Sequence, residues 1–438
     1  MIFTKKDLIF IFITSALMTL GFTAYFTSFY DYFSYFVVFL NVIFLVKFYN
    51  NIIVFILFGF IFLYTITFYQ YFVNSLYISY WDDFQNIKVV KRVLFSHSLF
   101  IFTLGNLITS KKVVFKINFR EKFRSNKILF FGFFIICILL LIFGIQGQSL
   151  LSGASYANQE FTSKSSLHEY FILFYLYLIL FSSQNKFEQI AIKILFVIYV
   201  LKTLIYGGRV EVLEIFLLWF LLFFLNKIKL RTVIFFVLIG LYGSNVVSNI
   251  RSNPIQFLSG NDLGYYFDPL FLFEHKSKYD IISSNEGDVI QSSARILGLI
   301  DNEHLTFSQR IISSVLYLIS PVVPASFMPS YSNLSTYKQE MYRSGGGGLI
   351  SIYFYAWYWY FGPIIVAFFL AFFINKFFLS SSLYSYIYGV AIFTTFPRWF
   401  AYNPIMLVKF CFYAVIILYV LSIFFNIQKS TFRAQRIN

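Results

Sequence analysis

The chain has 438 residues, 59% of them hydrophobic and only 12% charged, with a mean hydropathy of +0.73. That make-up excludes a soluble globular protein. The net charge of +15 would suit a nucleic-acid binder, but most Lys and Arg residues fall in short connections between apolar stretches, where membrane orientation requires them, so nucleic acid is not an expected partner.

A spanning helix needs about 20 mostly apolar residues. In chain order such stretches occur at roughly 8–28, 32–46, 52–72, 94–110, 128–146, 169–183, 189–206, 210–226 and 232–248, and again at 349–374, 382–397 and 403–425. The sequence therefore predicts an all-α polytopic membrane protein of about twelve spans. No small-residue cleavage site follows the first stretch, which is read as a retained helix. Phe and Tyr make up most of the 23% aromatic content and are expected to face lipid or neighbouring helices. Cys137 and Cys411 lie inside apolar stretches with no CxxC, so neither a disulfide framework nor a zinc site is indicated.

Three segments result: nine helices over 1–248, one large loop over 249–348, and three helices with a tail over 349–438. Orientation follows from Lys and Arg. With the N-terminus inside, the cytoplasmic connections carry eighteen of them and the short outer connections six, among them Lys88, Lys91, Arg92, Lys164, Arg209 and Arg398. Both termini are thereby set in the cytoplasm and the long loop outside, in the periplasm if the membrane is a bacterial inner membrane. The loop holds nine of the nineteen carboxylates. Within it, 310–324 is apolar for too short a run to span and ends at prolines, which predicts an interfacial or re-entrant helix. The polar stretch 331–343 predicts a second short helix.

Charges at membrane depth cost roughly 2.5–3.5 kcal/mol each on insertion scales, so the few present are informative. Arg209, in Tyr206-Gly207-Gly208-Arg209-Val210-Glu211, sits where two spans meet with almost no loop. It is read either as a headgroup-level turn residue or as a cation at the mouth of a cavity, with Glu211 or Glu214 beside it. Arg398, in Phe396-Pro397-Arg398-Trp399, repeats the pattern. Trp399 and Tyr402 also fit an interfacial belt. Arg251 opens the long loop and Arg343 closes it. All four arginines fall on the outer edge, and arginine suits bidentate phosphate binding, which points to a lipid-linked phosphate or diphosphate.

Gly345, Gly346, Gly347 and Gly348 are not a P-loop, since no Lys-Ser/Thr follows. They read as a hinge or as a close approach of backbone to an anion at a helix N-terminus. Candidate bases in the loop are Glu274, His275, Asp301, Glu303 and His304, of which Glu303 and His304 lie just ahead of the re-entrant stretch. No HExxH, metal-ligand cluster, GxSxG or DxD motif occurs, so no metal or cofactor is expected.

At these residues the chain resembles the O-antigen polymerase family, the Wzy-type repeat-unit polymerases. The resemblance covers nearly the whole length through short motifs: Gly207-Gly208-Arg209 opening a helix, Arg251-Ser252-Asn253-Pro254 at the loop entrance, Gly345 to Ser351 leading to Tyr360-Phe361-Gly362-Pro363, and Phe396-Pro397-Arg398-Trp399. The segment 351–360 departs from the family in lacking an acidic residue, which leaves the base unassigned.

The resemblance implies a GT-C-like architecture and metal-independent, inverting glycosyl transfer. The donor is a glycan on undecaprenyl diphosphate and the acceptor a single lipid-linked repeat unit. Arg209 and Arg398 would stabilise the charge growing on the leaving diphosphate. Arg251, Arg343, the glycines and aromatics such as Tyr342 would hold substrate, and a chain-length regulator is the implied partner. An O-antigen ligase shares this architecture. A lipid-linked oligosaccharide flippase is the reading from another class, disfavoured by the long loop and the scarcity of charge within the spans.

Overall fold

The computed structural model describes residues 5–27, 30–73, 87–109, 125–144, 166–183, 185–206, 208–225, 228–235, 285–342, 347–379 and 382–425, with a few isolated positions between 239 and 260. All regular structure among them is helical, with several strongly apolar helices, the make-up of a helical membrane protein. The helices are α1 (Lys5–Phe26), α2 (Tyr30–Lys47), α3 (Ile52–Val73), α4 (Ile87–Leu107), α5 (Lys127–Phe143), α6 (Tyr170–Phe181), α7 (Lys186–Ile205) and α8 (Arg209–Trp219). They continue as α9 (Asn285–Asp301), α10 (Phe307–Ile319), α11 (Leu334–Tyr342), α12 (Ile350–Tyr358), α13 (Phe361–Leu379), α14 (Leu383–Thr394), α15 (Phe396–Ala401) and α16 (Ile405–Phe424). By length and composition α1, α3, α13 and α16 can each cross a membrane, and shorter apolar helices accompany them.

The chain divides into two compact units. The first holds α1 to α4, α9 to α15 and the start of α16. Here α4 packs on α13, and α9 lies against α3, α4, α11 and α12. Polar ties fix the first four helices. Asp7 and Lys47 form a fully buried ion pair at 3.8 Å, and the Lys47 ammonium donates to the carbonyls of Gly105 (2.8 Å) and Ile108 (3.1 Å). Lysine thus closes the C-terminal end of α4, where carbonyls lack helical partners. Asn41 donates to Thr65 at 2.9 Å, and Thr65 lies 3.4 Å from His97 Nε2.

The second unit holds α5 to α8 and the end of α16. Asn126 caps α5 and Asn185 caps α7 through side-chain oxygens, the chemistry that starts helices well. Tyr199 stacks between Phe171 and His168. Trp219 donates to the Tyr175 hydroxyl, which donates to the Ile192 carbonyl. A π-helical turn, Phe220–Phe224, continues α8.

Several sequence expectations are corrected. A single helix over 349–374 does not form: α12 stops at Tyr358, Trp359 takes φ +51°, and α13 starts at Phe361. Pro363 falls in the first turn of α13, where a missing N–H costs nothing, and a Cβ on Gly362 would lie 1.9 Å from the Phe354 carbonyl oxygen. The segment 382–397 likewise breaks at Thr395, with Pro397 starting the six-residue α15. The fourth helix begins at Ile87, not 94, so Lys91 and Arg92 lie on the helix. Lys91 sits 4.5 Å from the Tyr25 ring centroid, and Arg92 makes a two-pronged ion pair with Asp301. Helix α9 was not anticipated at all. The short helices expected over 310–324 and 331–343 are α10 and α11. Of the ninth expected span, 232–248, the described residues are 232–235 and isolated positions up to 246.

Candidate functional site

Helix α9 carries Gln291, Ser292, Ser293 and Arg295, all buried, among Val289, Ile290, Ala294, Ile296, Leu297 and Leu299, also buried. A helix apolar on every side is enclosed, and its buried polar groups then need partners. The two serines find them in the stretch that precedes α12. Ser292 Oγ donates to the Gly347 carbonyl at 2.7 Å, and Ser293 Oγ accepts from Leu349 N at 2.8 Å. From α11, the buried Lys338 ammonium donates to the same Gly347 carbonyl at 2.9 Å and to Ser292 Oγ.

The opposite side of this stretch meets the end of α15, where Gly348 N donates to the Ala401 carbonyl at 3.0 Å. Gly347 has φ +116°, and a Cβ there would stand 3.2 Å from Ala401 O and 3.4 Å from Tyr402 Cδ1. Glycine is required by both backbone and space. Tyr402 is held through its carbonyl by the Tyr353 hydroxyl at 3.0 Å, and the Arg398 guanidinium lies 5.9 Å from its ring centroid. The buried Tyr64 hydroxyl of α3 has Tyr402 and Glu286 as electrostatic neighbours.

Arg295 and Arg398 bring permanent positive charge to the site. Burial and the nearby Arg295 lower Lys338 to about 7, and burial raises the Tyr342 phenol. Lys338 lies on the Gly347 carbonyl with Arg295 as its electrostatic neighbour, Arg398 lies beside Tyr402, and Glu286 is an electrostatic neighbour of Tyr64. Such a set can bind an anionic group and can accept a proton from a nearby hydroxyl. Among the described residues no group of three or more His, Cys, Asp or Glu could hold a metal.

Of the residues singled out by sequence, Gly347 and Arg398 come together here. Tyr342 sits at the end of α11, its hydroxyl accepting from Asn302 at 3.2 Å and its ring 5.9 Å from that of His304. Glu303 and His304 are exposed in the turn after α9, with Glu303 at φ +58°. Arg209 starts α8 in the second unit. There, a Cβ on Gly208 would meet Thr203 Cγ2 at 2.6 Å and Glu211 Oε2 at 2.8 Å, and Glu214 is buried one turn on. Arg251, Arg343, Gly345 and Gly346 lie outside the described residues.

Glu286, Ser292, Arg295 and Lys338 escaped sequence reading. The signal that could have found Ser292 and Arg295 is the run from Val289 to Leu299, whose apolar residues fall on all sides of a helix; no comparable signal marks Glu286 or Lys338. Comparison of the chain with protein-family models, with curated proteins and with solved structures gave no match. Fold and site together describe an all-helical chain with the make-up of a helical membrane protein, in which Arg295 and Lys338 are buried where α9 and α11 meet the stretch before α12.

Proposed function

We propose that the chain is a glycosyltransferase of the bacterial inner membrane. In this reading it has about twelve spans, GT-C-like architecture and cytoplasmic termini, and it joins undecaprenyl-diphosphate-linked oligosaccharide repeat units at the periplasmic face, as an O-antigen polymerase does. The observation that carries the reading is the seating of Gly347–Gly348 against α15. It unites two elements of the resemblance, the glycine run and the late arginine, beside Arg295 and Lys338.

In the reaction, an acceptor hydroxyl oxygen attacks the anomeric carbon of the donor glycan. The bond from that carbon to the diphosphate oxygen breaks with its electron pair, and the hydroxyl proton passes to a base, for which Glu286 is the carboxylate at this site. The leaving group gains negative charge in the transition state, and preorganised cations in a water-poor setting stabilise it. Arg398 is assigned that role here; the resemblance gives the same role to Arg209, which belongs to the second unit. Membrane lipids surround the chain, and a chain-length regulator is the proposed protein partner.

The test is the surface polysaccharide ladder of cells lacking the gene, then complemented. Lipid A-core capped by a single repeat unit supports the polymerase. Loss of all capping with polymer retained on undecaprenyl diphosphate indicates a ligase, and an unchanged ladder overturns both. Complementation with Arg398→Ala should leave protein level intact and polymer absent, and Arg398→Lys should restore little, because a point charge lacks the bidentate fork.

A further inference from the structure

Helix α10 is amphipathic in the inverted sense. Arg310, Ser313, Ser314, Tyr317 and Ser320 recur at helical spacing on one side and all are buried. Ile312, Val315, Leu318, Ile319 and Val322 form the opposite stripe and are all exposed, Leu318 at 62% and Val322 at 72%. In water both faces would be misplaced, since burying each such aliphatic side chain gains about 1.5–3 kcal/mol.

The buried face is laced to membrane helices. Arg310 donates to the Ala356 and Tyr355 carbonyls at the end of α12, with its guanidinium 4.0 Å from the Trp359 ring centroid. Ser313 accepts from Trp357 at 3.0 Å, and Ser314 bonds Tyr358 at 2.6 Å. Depth is set by α16, which is long and apolar enough to cross the membrane. Tyr317 donates to the Pro404 carbonyl at the head of α16 (2.7 Å), whereas Pro321 accepts from Tyr413 at 2.8 Å. Tyr413 lies eight residues into that helix, about 12 Å along its axis. The turn after α10 thus lies past the head of α16, alongside its body, and its backbone is satisfied there: Val322 N and Val323 N both donate to Ile319 O, as irregular backbone in a bilayer demands.

We infer that α10 is sunk into the bilayer beside α16, its stripe from Ile312 to Val322 covered by phospholipid acyl chains. The interfacial or re-entrant helix expected over 310–324 is then, more specifically, a lipid-facing wall. The inference stands independently of the glycosyltransferase reading, because it concerns what covers this face and not what the site does.

Nitroxide labels on Val315→Cys, Leu318→Cys and Val322→Cys test it, in a chain with Cys137→Ala and Cys411→Ala, reconstituted in phosphatidylethanolamine–phosphatidylglycerol vesicles. Collisions with oxygen should exceed those with a water-soluble nickel chelate several-fold at all three positions, as at Tyr419→Cys, and the preference should reverse at Lys127→Cys. Nickel preference at the three positions overturns the inference in favour of water. Exclusion of both reagents with spin coupling between copies overturns it in favour of a second chain. Photocrosslinking of the unsubstituted protein with a diazirine-bearing phospholipid needs no fold-sensitive variant: label within 307–322 supports the inference, and label on α16 without any there sinks it.

Discussion

Lys338 shows how much one side chain can be asked to do. It is fully buried, donates to Ser292 and Gly347, and faces Arg295, so its charged form is disfavoured in the folded protein and its value falls to about 7 against an ordinary 10.5. Between those two values the unfolded chain binds more protons than the folded one, so stability rises with pH through that window. Below it both states carry the charge and the penalty is complete. Thermal unfolding in detergent should therefore show a midpoint that climbs from pH 7 to pH 9, with the climb reduced in Lys338→Met. Equal slopes in the two proteins would exclude the titration. Arg310 acts at the same scale by closing the C-terminal end of α12. Arg310→Ala would remove the donor to the Ala356 carbonyl, an expected loss of about 1–3 kcal/mol, read as a lowered unfolding midpoint that Arg310→Lys recovers only in part.

Among the elements, those that sequence reveals best are the uniform ones. Ile52–Val73 carries no charge and reads as a span by length alone, and 310–324 ends at prolines and reads as a short helix. Failure comes where tertiary contact outweighs apolar continuity. Nothing in Trp357-Tyr358-Trp359-Tyr360 halts a hydropathy window, yet the chain turns at Trp359; Pro363 in the following first turn was the available sign. Polar residues of α9 and α11 look solvated in sequence because only packing encloses them, which is why Arg295 and Lys338 were missed and the exposed Glu303 and His304 were favoured. Lys47, for all its charge, is buried against Asp7. Asp7→Asn should strand that lysine and cost about 3–5 kcal/mol, seen as a lower unfolding midpoint. A neutral result would mean that the carbonyls of Gly105 and Ile108 suffice.

For the molecule as a whole, the distribution of Lys and Arg proposes cytoplasmic termini and an external site. Alkaline phosphatase inserted after Ser326 should be active in cells and inactive when fused after Asn438; the reverse pattern would invert the topology. The residue types expected at the site, arginine and glycine, were legible as motifs, but their meeting at Ala401 depends on folding back across α9. The Asp7–Lys47 pair also carries a consequence for biosynthesis. Asp7 leaves the ribosome long before Lys47, and Lys47 before the α4 carbonyls that complete its shell. The pair can therefore close only once the second helix is made, and its shell only once the fourth is. The order of synthesis is thereby written into a single buried contact.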